Sequence, residues 1–140
     1  SWQPTDSEPE FSGLSQQLHR RAMVPAEIVS VVYATSKSNS LLGKGTLPKV
    51  KLTQMTHDLH VTEIFLTYRA AGRRSSEWVG EDQFPYSWPI QLRPDAILVD
   101  HRGVVIRAIE FGGDYSTERL DNLHEGLSQF DCHGLAYEIW

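Results

Sequence analysis

Two carboxylates stand where acids are seldom found, at the ends of apolar runs. Asp95 opens the run Ala96-Ile97-Leu98-Val99, and Glu110 closes Val104-Val105-Ile106-Arg107-Ala108-Ile109. Fifteen positions separate them, with Asp100-His101-Arg102-Gly103 between the two runs. A carboxylate in an apolar strand loses its hydration and persists where a cation or hydrogen-bond donors replace the lost water. Paired acids on adjacent strands are one way that phosphodiester-cleaving folds hold a divalent metal. Asp95 and Glu110 are therefore the candidate ligands for Mg²⁺ or Mn²⁺, hard ions that favour carboxylate oxygen and keep several waters. A metal-bound water would be the nucleophile, and the ion would offset charge on the scissile phosphate. The structural alternative has Asp95 capping a turn behind Pro94 and Glu110 paired with an arginine.

The elements that must carry these acids follow from spacing and turn chemistry. Residues 93–100 and 103–111 read as strands, closed into a hairpin by Asp100-His101-Arg102-Gly103. A helix is predicted from Lys51 to Ala71, with Leu52, Met55, Leu59, Leu66 and Ala70 on one face, Ile64, Phe65 and Tyr68 on its flank, and Gly72 at its end. Ser76 to Gln83 is a candidate first strand. Ser116-Thr117-Glu118 starts a helix that turns Leu120, Leu123, Leu127 and Phe130 inward and ends at Gly134, before a last strand at 135–140. Upstream, residues 1–10 are expected to be loosely ordered, Phe11–Met23 helical, Glu27–Thr35 a strand and Ser36–Gly45 a loop. From residue 51 the order is α-β-β-β-α-β, which predicts an α/β fold with a mixed central sheet flanked by helices.

At 140 residues the chain fits one domain, or a small domain with an appendage. The net charge of −5 conceals an asymmetry: nine bases face three acids over residues 11–76, and four arginines face twelve acids over 77–140. Such a division suits a polyanion-binding face beside a cation-binding pocket. Cys132 is alone, which excludes an internal disulfide framework and a cysteine zinc site and makes a cytoplasmic setting the expectation. No apolar stretch approaches a membrane span, and no signal peptide is expected.

The order of elements, with Pro94-Asp95 and Glu110, resembles the core of the PD-(D/E)XK, or restriction-endonuclease-like, nuclease superfamily. More narrowly, Thr56-His57-Asp58-Leu59-His60-Val61-Thr62-Glu63-Ile64-Phe65-Leu66, Arg93-Pro94-Asp95-Ala96 and Ile109-Glu110-Phe111-Gly112-Gly113-Asp114-Tyr115-Ser116 resemble the plasmid replication-relaxation proteins, which include mobilisation relaxases. The resemblance covers about residues 50–140. It implies a metal-dependent DNA endonuclease that nicks plasmid or mobile-element DNA, with Asp95, Glu110 and a helical Glu63 as catalytic residues facing one pocket. Its alternative is an inactive nuclease-like module that binds DNA or docks a partner. DNA is the implied partner, together with a second copy of the chain or with replication and mobilisation proteins.

Such proteins carry a winged-helix unit before the nuclease core, so residues 1–47 are expected to hold a loose start and a winged-helix-like remnant, with 48–140 the nuclease-like domain. Leu14–Met23 would be the recognition helix and Ile28–Thr35 the wing strand, with Arg20, Arg21, Lys37 and Lys44 as DNA contacts. The upstream helices of such a unit are absent, so the chain is expected to be a fragment of a longer protein. One departure stands out: the superfamily expects lysine two positions after Glu110, and this chain has Gly112. Glycine can neither orient a water nor stabilise developing phosphate charge. Arg93, Arg107 and Lys51 are the candidates to replace it.

Other residues carry less. Glu81 and Asp82 are candidate third ligands. His57, His60 and Glu63 are spaced by three, yet no HExxH is present, so zinc is disfavoured. Tyr115 reads as a packing residue or phosphate contact rather than a covalent nucleophile. Gly43-Lys44-Gly45-Thr46 lacks the spacing of a phosphate loop. His124 and His133 read as surface residues, and Phe84 to Pro89 as an aromatic lid on the core.

Overall fold

The apolar runs become the two central strands of a four-stranded sheet. The computed structural model describes residues 1–5, 8–23, 30–32, 35–42, 51–84, 88, 93–130 and 133–140. The strands are β1 (Trp78–Gly80), β2 (Ala96–Val99), β3 (Val105–Glu110) and β4 (Tyr137–Ile139), in the order β1-β2-β3-β4. β1 and β3 each lie antiparallel to β2, and β4 runs parallel to β3, as expected for a strand reached through a helix. In the hairpin, Asp100 Oδ1 accepts from Arg102 N (2.8 Å) and Val104 N (2.9 Å), and Gly103 takes a φ of 80°. Those contacts reward an aspartate at the first position and a glycine at the last.

The described residues form four α-helices, α1 (Ser12–Ala22), α2 (Ser36–Leu42), α3 (Met55–Ala70) and α4 (Thr117–Ser128), and three of them, α1, α3 and α4, pack on the sheet. Ile97, Val99, Ala108, Tyr137 and Ile139 share one core with Phe11, Leu14 and Leu18 of the first helical segment and Leu120, Leu123 and Leu127 of α4. Ala96, Leu98 and Ile109 turn to the opposite face and meet Ile64 and Tyr68 of α3, with Trp78, Phe111 and Trp140 around them. Burial on both faces is why β2 reads as an unbroken apolar run rather than an alternation. Ser116 caps α4 by accepting from Arg119 N; the helix ends at Ser128, short of Gly134, which was expected to end it and takes a φ of 72°.

The N-terminal part departs from expectation. Trp2 is not loose: its N–H and carbonyl bond with Ile139 (2.8 and 2.9 Å), and its ring packs on Phe11 and Tyr137. Helix α1, expected as a recognition helix, packs its Phe11, Leu14 and Leu18 side into the sheet's own core. Residues 36–42, expected as a loop, form α2. The expected strand over 27–35 lies mostly outside the described residues, and its described positions 30–32 and 35 form no strand.

Helix α3 also faces inward differently. Ile64 is buried and Tyr68 packs on Trp78 and Trp140, while Leu59 and Leu66 are exposed. Apolar residues are spread around this helix, so the aromatic partners on the sheet decide which side faces in. Phe84 and Trp88 are buried in the core with Phe130, as the lid reading anticipated. His124 is a correction: it is half-buried, with Nδ1 2.8 Å from the Tyr137 hydroxyl.

Candidate functional site

The register Ala96↔Ile109 brings Asp95 across from Glu110, and the two are cross-linked through the backbone. Asp95 N donates to Glu110 Oε2 (3.3 Å), and Phe111 N donates to Asp95 Oδ2 (2.7 Å). Each acid is thus fixed by the strand that carries the other. The Tyr115 hydroxyl donates to Glu110 Oε1 (2.6 Å), and His57, reaching from α3, places Nε2 2.9 Å from Asp95 Oδ1. The acids converge, and among the described residues no arginine forms a salt bridge with either.

Depth divides the pair. Glu110 is 3% exposed and lies beneath the surface. The Asp95 side chain, 12% exposed, lines a cleft of about 250 Å³ with His57, Asp58, Val61, Gly80, Glu81 and Asp82. Burial pushes the Glu110 carboxyl up to about 7, and the charge of Asp95 adds to it; the Tyr115 hydroxyl, Arg119 and the Asp95 N–H pull the other way. Asp95 is also raised, by burial first, against the opposing pull of the Phe111 N–H and His57. The Tyr115 phenol is raised as well, through burial and then the charge of Glu110.

The other expected residues fall in different places. Glu81 and Asp82 do line the cleft, and Glu81 N donates to the Asp95 carbonyl (3.1 Å). Glu63 does not face it: its side chain is 77% exposed, and among the described residues its ion-pair partner is His60, at 3.6 Å. The inward face of α3 runs through 57, 61, 64 and 68, which turns residue 63 outward. Arg20, Arg21 and Lys37 are exposed, and Arg21 also donates to the Trp140 backbone oxygen (2.6 Å) and lies over the Phe111 ring; Lys44 lies outside the described residues. Of the lysine substitutes, Arg107 is bound to buried Glu138, Lys51 is exposed, and Arg93 Nε is buried without a hydrogen-bond partner among the described residues.

Gly112 has a packing reason. A Cβ there would fall 2.8 Å from Ile139 Cγ2 and 2.8 and 2.9 Å from the two methyls of Leu18. The expected lysine has no room. His57 was the residue the sequence reading undervalued, weighed only as a zinc ligand beside His60. Its signal was present in the spacing 57-61-64-68, which puts it on the face of Ile64 and Tyr68.

Two carboxylates with water filling the remaining positions are a donor set that Mg²⁺ accepts, and of this pair Asp95 lines the cleft while Glu110 lies beneath it. Each of the four carboxylate oxygens has one hydrogen-bond partner, leaving lone pairs to accept more. Among the described residues, no group of three or more His, Cys, Asp or Glu side chains is disposed to hold a metal ion. A cation held here would rest on two carboxylates and water rather than in a closed protein cage. No helix among the described residues is long and apolar enough to cross a membrane. What the fold and site define is an α/β domain with a mixed four-stranded sheet and an acidic cleft at the end of β2. The chain matches no family model, no curated protein and no solved structure.

Proposed function

We propose that this domain is a divalent-cation-dependent DNA endonuclease of the restriction-endonuclease-like type, nicking plasmid or mobile-element DNA in replication or mobilisation. The observation that carries the reading is the convergence of Asp95 and Glu110 across β2 and β3, in a corner where burial disfavours two negative charges. The cleft beside them holds the carboxylates of Asp58, Glu81 and Asp82. A bare phosphate is repelled from such a cleft, and a cation is drawn to it.

Asp95 and Glu110 would hold Mg²⁺ or Mn²⁺, which supplies an acidified water and neutralises charge on the phosphate. Tyr115 and Phe111 N–H keep the two carboxylates in place. The backbone of Gly80 and Glu81, tied to the Asp95 carbonyl, shapes the cleft wall. Exposed Arg20, Arg21 and Lys37 are the described candidates for contact with DNA backbone phosphates.

The test is supercoiled-plasmid nicking across an Mg²⁺ and Mn²⁺ titration, with Mn²⁺ binding followed by electron paramagnetic resonance. Wild type nicks, and Asp95→Ala and Glu110→Ala do not. A wild type that neither binds Mn²⁺ nor nicks at any concentration refutes the reading. A second reading, an inactive nuclease-like scaffold that binds DNA, is favoured by the filled space at Gly112. It predicts a metal-independent, salt-sensitive DNA shift with no cleavage.

A further inference from the structure

His57 enters the cleft from a different element than either acid, and its ring, 38% exposed, has three neighbours that orient it. Nε2 lies 2.9 Å from Asp95 Oδ1, and Nδ1 lies 3.5 Å from Asp58 Oδ1. The ring meets the edge of Phe111, with centroids 5.8 Å apart at 71°. Phe111 is itself pinned, stacked on His60 at 4.5 Å and lying under the Arg21 guanidinium at 5.2 Å. Its backbone N–H is the donor to the other oxygen of Asp95. One residue thus fixes Asp95 twice, directly through its N–H and indirectly through the imidazole that its ring supports.

A monodentate hydrogen bond leaves a carboxylate free to rotate about its Cβ–Cγ bond. Two donors on separate oxygens, one from the β3 end and one from α3, remove that freedom. The remaining lone pairs of Asp95 are then presented in a fixed direction, with Asp95 and His57 both on the wall of the cleft. Loss of the α3 donor leaves Oδ1 half-buried and unpaired, and the carboxylate turns to find water.

Resting on the cation-dependent reading above, we propose that His57 is the positioning residue of the site: it orients Asp95 for a divalent cation by donating from Nε2. The role belongs to a hydrogen-bond donor of that reach and does not require an imidazole. Outer partners of metal-binding carboxylates typically contribute roughly 10–100-fold in metal affinity.

Mn²⁺ binding is measured by electron paramagnetic resonance on the full chain for wild type, Asp95→Ala, His57→Ala and His57→Gln, with circular dichroism confirming that each variant is folded. Asp95→Ala loses binding. His57→Ala binds roughly 10–100-fold more weakly. His57→Gln, whose side-chain amide keeps an N–H donor, recovers to within about threefold of wild type, a rescue that a purely structural imidazole would not permit. Should wild type bind and His57→Ala match it, His57 has no positioning role while the cation site stands. Should glutamine fail as badly as alanine, the donor account is overturned. Absence of binding in wild type overturns the cation reading itself, and this inference with it.

Discussion

Replacing Glu110 by glutamine removes one negative charge from the buried pair while keeping its shape, and the consequence depends on pH. In wild type the carboxyl moves from 4.5 to about 7 on folding, through burial and the neighbouring Asp95. The folded state therefore holds a proton that the unfolded state has released between those pH values. Stability attributable to this group is complete below about pH 4.5 and is lost as pH rises through 7. At about 1.4 kcal/mol per tenfold change in proton affinity, the loss is about 3 kcal/mol. Glu110→Gln has no such loss. Its amide oxygen still accepts from Asp95 N, and the Tyr115 hydroxyl, now donating to Glu110 Oε1, turns to accept from the new amide. Thermal melting by circular dichroism, with both proteins measured from pH 4.5 to 8, isolates the pair because other titrating groups cancel in the difference. The variant's melting temperature gains on wild type as pH rises, by on the order of 10 °C across the range for a domain of this size. A flat difference curve, or one that climbs toward acid, refutes the claim that the two acids share a desolvated corner.

Two further substitutions test particular placements. Gly112→Ala puts a methyl within 2.8 Å of Ile139 and Leu18 side-chain atoms, so it destabilises by about 1–3 kcal/mol in chemical denaturation, and combined with Leu18→Ala it loses less than the sum of the two single losses. An alanine as stable as wild type shows that the space is not filled. Glu63→Ala removes an exposed side chain 3.6 Å from His60, so its stability stays within about 0.5 kcal/mol of wild type and plasmid nicking is unaffected. A nicking defect in that variant restores Glu63 to the site.

What could be read from the chain was what depends on local chemistry. The central strands showed because burial on both faces removes polar residues from the run, and the hairpin showed because Asp100 and Gly103 each satisfy a specific backbone need. The start of α4 was marked by Ser116 in the same way. Non-local contacts were not legible. Nothing in Ser1–Pro4 announces that Trp2 will pair with Ile139, and the apolar spacing of α1 does not say whether it faces DNA or this sheet. The orientation of α3 was misread for the converse reason: its apolar residues offer several faces, and Trp78, Trp140 and Phe111 select one. That selection moves Glu63 out of the site and His57 into it. The two strand acids lie side by side because their pairing depends only on a hairpin register, which the turn between them determines.

The same packing explains why a polar group at this cleft comes from α3 and not from β3. Beyond Glu110 the chain still runs beside β4, with Gly112 N donating to the Trp140 carbonyl, and α1 leans against it there through Leu18. A side chain at 112 and the docking of α1 compete for one volume. Leu18 is buried in the same core as Phe11, Leu14, Tyr137 and Ile139, so displacing it loosens the layer that anchors the first helix. Helix α3 occupies the opposite face and is free of that conflict. Its N-terminal turn reaches the end of β2, where His57 meets Asp95 without entering either core. A donor on α3 can therefore serve the acid pair at no cost to the packing around Gly112, whereas a lysine restored at 112 must first displace α1 from the sheet.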